Sequence, residues 1–427
     1  MLTLGAVIIF TLGLTVLEWW VLVFPVGKFT GLALLILFSG AKLWLTYTWL
    51  TITPQASTQR RVNVFVGFFL SLFLVMLAAA IGARFSTWPV YVNDGVLQTE
   101  AALEYLGKGE SPYGTSYYGT SLETYHYPSE LGPENPAFYH YVYLPGLLLM
   151  SWPVQQVSMM WPGFYDQRFV TFLVMVGLLG LCWHYVRGRR EAAYLVPVVL
   201  AGAWCTPFFL LGYNDILPLG LVLAGLMALW QGGRWFVPGV LLVAFACVVM
   251  QTAWFAVPLI LVAMWGMFRA GQLSKQQLVR ALAAALVLSV VVVAPFWYWG
   301  GQGYWDDTLG YILGTVQHTY PAFGVGLAEI LVRTGVLASR QAPFPFDVLQ
   351  LLVGAVVGVL AAVKLVRARE IYPPTILYWW AGWLGSMWLV ARYFALTHLG
   401  FILTLVGIGF VLQQVLPKQA KLNPAAD

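Results

Sequence analysis

Charge is what this 427-residue chain has least of. Only 9% of its residues are Asp, Glu, Lys or Arg, against about 25% in an ordinary soluble domain. So few polar groups cannot coat a water-facing globule of this size, which excludes a soluble enzyme, a disordered chain and a nucleic-acid-binding module. Cysteine is scarce too. Cys182, Cys205 and Cys247 all fall in apolar stretches, so no disulfide framework is implied. Basic residues are missing from the extreme N-terminus, and the first apolar run is followed by another. That run therefore reads as a retained helix and not as a cleavable signal peptide. Also missing are a Gly-rich phosphate loop, a Ser/His/Asp order, an HExxH motif and any evident internal repeat.

Apolar sequence takes up the space. Hydrophobic residues make up 60% and aromatics 16%, with 20 Trp and a mean hydropathy of +0.78. The expected fold is an all-α polytopic membrane protein. A spanning helix needs roughly 20 apolar residues, and runs of that kind lie at 4–24, 29–50, 62–84, 168–186, 192–211, 213–230, 279–297, 346–366, 374–391 and 394–415. The run 235–268 is too long for one ordinary span and has Met250-Gln251-Thr252 at its middle, so it divides into two short helices with a turn there. The total is about 12 spans. The stretch 141–160, interrupted by Pro145 and Pro153, is ambiguous by hydropathy alone.

Charge resolves it. If 141–160 lies along or dips into the outer interface without crossing, 14 of the 22 Lys and Arg share one side, as the positive-inside rule requires of the cytoplasm. The acids then separate as well, with 13 of 17 on the outer side. The chain divides into two additional N-terminal spans (1–61), a first core span (62–84), a long extracytoplasmic loop with juxtamembrane helices (85–165) and a helical bundle (166–427). A second outer loop occupies 298–345. The first loop is rich in acids and tyrosine, and its Gly95–Leu106 reads as a helix capped by Asn93 or Asp94 and stopped near Gly107.

Four groups carry candidate chemistry. Asp94 either caps that helix or stands as a carboxylate at the mouth of a membrane-embedded cavity, ionised near neutral pH and able to take a proton from a hydroxyl. The two roles are compatible. Asn214 and Asp215 sit at the outer end of a helical hairpin, as a water-facing cap or as cavity groups. Gln251 and Trp254, at the outer turn, suit either a sugar or phosphate contact or an interfacial cap with a belt tryptophan. Arg392, beside Tyr393, suits phosphate through its planar fork, or snorkels to headgroups. Asp306-Asp307 with His318 offers a divalent cation, such as Mg or Mn, a weakly specified site; adjacent acids in a wet loop are more often simply solvated.

Taken in order, Asp94, Gln98-Thr99-Glu100-Ala101-Ala102, Gly107-Lys108-Gly109-Glu110-Ser111-Pro112-Tyr113 and Tyr141-Val142-Tyr143-Leu144-Pro145 form a recognisable series. With Asn214-Asp215, Gln251-Thr252-Ala253-Trp254, Pro321-Ala322-Phe323-Gly324-Val325-Gly326-Leu327 and Arg392-Tyr393-Phe394, they resemble the GT-C superfamily of membrane glycosyltransferases. The likeness, over residues 62 to 415, is to bacterial mannosyltransferase-type members that use polyprenyl-phosphate sugars. The resemblance implies an inverting transfer of mannose or a related sugar from a polyprenyl-phosphate carrier. The acceptor would be a glycan, lipid or protein at the extracytoplasmic face of the bacterial inner membrane, and Asp94 the general base. It places Asn93, Glu100, Tyr113, Asn214, Asp215, Gln251, Trp254, His318, Arg392 and Tyr393 around the substrates. The chain departs from the family in its two additional N-terminal spans and in Met250, where relatives often carry lysine. A transporter or flippase of lipid-linked substrates, and a polymerase or ligase of lipid-linked glycans, are the competing readings.

Overall fold

The computed structural model describes residues 92–187 and 210–417, with a few isolated helical positions before them. The expected spans 4–24, 29–50 and 192–211, and most of 62–84, lie outside the described residues. Within them the chain is almost entirely helical.

Helix α1, Asp94–Gly107, begins where Asn93 leaves extended backbone and its Oδ1 accepts from the Gly95 N–H at 2.9 Å. It stops at Lys108-Gly109, with Gly109 at φ +76°. Its first two and a half turns, Gly95 to Leu103, are buried all round, so α1 is a core helix and not a surface one. Helix α2, Pro145–Met160, has Pro at its first position, where the missing N–H costs nothing. Gly146 lets it pack backbone to backbone on α5 (Phe236–Val249): a Cβ there would stand 2.6 Å from the Val248 carbonyl oxygen. The far end of α2 leaves Val157, Met159, Met160 and Trp161 exposed.

The bundle continues with α3 (Arg168–Val186), α4 (Ile216–Gln231), α5, α6 (Ala256–Arg269) and α7 (Lys275–Gly300). After the second loop, which holds the short α8 (Leu327–Arg333), come α9 (Phe346–Ala368), α10 (Pro373–Leu389) and α11 (Leu396–Val415). The long run after residue 235 is broken where the sequence indicates. Met250 turns extended (φ −158°, ψ 142°) and a tight 3-10 turn, Gln251–Phe255, leads into α6. Counting that turn with α6, five helices among the described residues are long and apolar enough to cross a bilayer. Leu286, Val287, Val290 and Val291 on α7 and Leu351, Leu352, Val356, Val359 and Leu360 on α9 face outward. Rows of this kind would be a liability in water and are the expected surface in lipid.

The connections between helices differ in chemistry. Arg234, Arg269, Lys275, Lys364, Arg367 and Arg369 lie at the connections α4–α5, α6–α7 and α9–α10. The intervening connections are the 250–255 turn, the second loop and the segment 390–395. Among the described residues the one sheet is a two-residue parallel pairing that joins the last two of these, β1 (Phe323–Gly324) with β2 (Tyr393–Phe394).

A candidate active site around Asp94

Asp94 is half-buried at the start of α1, and the Asn93 N–H donates to the Leu211 carbonyl at 2.8 Å, fixing it against the 211–215 hairpin. One carboxylate oxygen of Asp94 accepts from the Gly95 N–H at 2.9 Å. A Cβ at Gly95 would stand 2.0 Å from the Tyr143 hydroxyl oxygen, so any larger residue there must push that ring aside. Burial raises the Asp94 pKa above 3.8, opposed by the Gly95 N–H and by the amides of Asn135 and Asn93. Tyr125, Tyr127, Tyr143 and Tyr213 all feel its charge, as do Tyr311, Tyr320 and Tyr393. The last three stack in series, with ring centres 4.5 and 4.7 Å apart. A carboxylate of raised proton affinity thus faces a wall of phenols, whose flat faces and hydroxyls suit a polar ring-shaped ligand.

The platform beneath is ionic. Arg84 pairs with both oxygens of Glu100 and, at 2.9 Å, with Asp166. Arg168 grips Asp166 through two bonds of 2.8 and 2.7 Å and donates to the Leu210 carbonyl at 2.9 Å. Burial alone would raise the Asp166 carboxyl, but the Arg168 guanidinium, with Arg84, holds it below its ordinary value. The Gln167 N–H donates to Glu100 at 2.9 Å and its side chain to Asn214 at 3.3 Å. The start of α1, the start of α3 and the hairpin are therefore held as one unit.

The two outer loops are tied across the top. The His140 ring bonds Asp307 at 2.9 Å through Nδ1 and the Gln317 carbonyl at 2.7 Å through Nε2. Asp307 also accepts from the Gly114 N–H at 2.8 Å. Gly114 and Gly303 meet so closely that a Cβ on Gly303 would lie 2.4 Å from the Gly114 Cα.

Several residues expected to touch substrate are committed elsewhere. Glu100 is bonded to Arg84 and to the Gln167 N–H, an anchor under α1. Tyr113 is buried, with its hydroxyl donated to the Tyr143 carbonyl at 2.9 Å. The Gln251 amide donates to the carbonyls of Val142 and Thr308, both at 2.9 Å, which joins the two loops to the turn. Arg392, expected to meet phosphate, instead binds the carbonyls of Tyr320 (3.2 Å), Arg340 (3.5 Å) and Ala342 (3.1 Å). Trp254 donates its ring N–H to the Cys247 carbonyl at 2.7 Å and leaves its ring exposed. His318 is exposed and stacks on Tyr139, with centres 3.7 Å apart, rather than joining Asp306 and Asp307. Asn93 and Tyr393 do stand with Asp94. Asn214 and Asp215 lie one shell away beside Tyr143, Asp215 at the start of α4.

The geometry adds Asn135, His140, Tyr311 and Tyr320, which sequence reasoning passed over, and gives Asp307 a partner that the sequence did not indicate. His140 and Asp307 are 167 residues apart, and no local pattern links them. As for the cation site, Asp306 accepts from Gln302 while Asp307 turns to His140. Among the described residues no three His, Cys, Asp or Glu side chains are grouped to hold a metal ion. No family model matches the chain, and no similar protein was found among the curated proteins or the solved structures.

Proposed function

We propose that the protein is a membrane glycosyltransferase that moves a sugar, mannose or a close relative, from a polyprenyl-phosphate carrier to an acceptor hydroxyl, with Asp94 as general base. The observation that carries this reading is the setting of Asp94. It is a half-buried carboxylate of raised proton affinity, among tyrosine rings, on a rigid ionic base at one end of an apolar bundle. A base works best when its pKa approaches the operating pH, and burial moves Asp94 in that direction.

In the reaction the acceptor O–H gives its proton to Asp94 while its oxygen attacks the anomeric carbon. The bond from that carbon to the phosphate oxygen breaks, and the phosphate keeps the electron pair, inverting the centre. The leaving group is already a phosphate, so it needs charge stabilisation more than a proton. Acceptor approach would be from the extracytoplasmic side of the bacterial inner membrane.

Mass spectrometry of lipid-linked glycans from cells with and without the protein tests the proposal. A glycan one sugar shorter in its absence supports it. Unchanged structures accumulating on one leaflet would point to a flippase, and loss of long chains alone to a polymerase or ligase.

A further inference from the structure

Asn135 is a buried side chain that the reaction above does not use. Its Oδ1 accepts from the Ala137 N–H at 3.0 Å and caps the 3-10 turn Pro136–Phe138. That bond fixes the amide's orientation, with oxygen toward the turn and the NH2 on the other side. The residue is only 4% exposed, and its Nδ2 has no protein acceptor at full hydrogen-bond distance. Its charged neighbour is Asp94, whose ionised form the amide favours. A buried donor left short of an acceptor is costly, and native chains keep few of them without a use.

We propose that Asn135 is the positioning residue for Asp94: its capped amide presents Nδ2 to the carboxylate, aims it into the tyrosine-lined pocket, and passes that donor to a ligand oxygen that enters. This rests on the reading of Asp94 as the base. The groups facing Asp94 from the surrounding elements are Tyr125 and Tyr127 of the first loop, Tyr143 before α2 and Tyr213 of the hairpin. Tyr311 and Tyr320 face it from the second loop and Tyr393 from β2, with Asp215 one shell further at the start of α4. Burial raises every one of these phenols, and Tyr127 is pushed to about 12, so they keep their protons while Asp94 titrates.

Substitutions at 135 separate positioning from capping. Asn135→Ser keeps an oxygen for the Ala137 N–H but has no NH2. Asn135→Asp keeps the shape and the cap and adds a like charge. The readout is an infrared pH titration of the protonated carboxyl of Asp94 in the full-length protein, its band assigned by its loss in Asp94→Asn. In Asn135→Ser the midpoint should rise by about one pH unit with thermal stability unchanged, and in Asn135→Asp it should rise further. The acidic limb of kcat/KM for sugar transfer should move with it. A midpoint that stays put in a folded Asn135→Ser protein overturns the proposal; if that variant does not fold, the same result in Asn135→Asp does so. A midpoint that moves in a protein without transfer activity supports the positioning role while removing the transferase reading.

Discussion

Replacing His140 with Phe removes two hydrogen bonds while keeping a ring against Tyr311, whose centre lies 5.0 Å from that of His140. Both ring nitrogens of His140 face acceptors, a carboxylate and a carbonyl, so the ring donates at both and is an imidazolium. Burial works against that charge, but the Asp307 carboxylate and the Gln317 carbonyl outweigh it and raise the His140 pKa above 6.5. The stabilisation is therefore complete below the unfolded-state value and is lost as pH rises through the higher folded-state value. Asp307 is 1% exposed and would keep only backbone N–H partners, those of Gly114 and Tyr141, after the substitution. Breaking a buried pair from one side costs about 3–5 kcal/mol, and one titrating proton contributes at most about 1.4 kcal/mol per pH unit. Thermal unfolding in detergent is the assay. His140→Phe should melt well below the parent at about pH 6, and the gap should narrow as pH rises through the raised folded-state value and the parent's ring deprotonates. Equal melting at about pH 6, or parallel curves across the range, would refute the imidazolium latch.

Two further substitutions probe the platform and the pocket. Glu100→Gln keeps the side-chain shape but leaves the Arg84 charge with Asp166 alone, so the melting temperature should fall in step with a loss of about 3 kcal/mol; a wild-type melt would mean that the ionic base does not hold α1. Gly95→Ala drives a methyl into the Tyr143 hydroxyl and should cost about 1–3 kcal/mol. Adding Tyr143→Phe should return part of that stability, and a double variant no better than the single one would show the clash lies elsewhere.

Local order was the legible part of the sequence. The Asn93 cap, the stop near Gly107 and the break at Met250-Gln251 are written in residues that fix their own backbone, and α1 and the α5–α6 division follow them within a residue or two. Among the described residues, the long helices Arg168–Val186, Lys275–Gly300, Phe346–Ala368 and Leu396–Val415 follow from apolar length alone. Partnership was not legible. Arg392 is a plausible phosphate ligand until its three carbonyl partners are seen, and Glu100 reads as a pocket acid until Arg84 is found under it. The segments Phe323-Gly324 and Tyr393-Phe394 look like separate motifs, yet they pair as strands, and a Cβ at Gly324 would stand 1.9 Å from the Phe394 carbonyl oxygen. Contacts spanning 72 to 193 residues leave no periodic trace, so the pocket wall emerged only in three dimensions.

The central claim is that Asp94 removes the acceptor proton. Purified protein and its Asp94→Asn variant, each folded to the same melting temperature, should be compared for sugar transfer from a synthetic polyprenyl-phosphate mannose to an acceptor isolated from lipid-linked glycans. The account predicts transfer by the parent and a loss of at least about a hundredfold in the variant, the lower range for removal of a general base. Near-parental turnover by Asp94→Asn would contradict it.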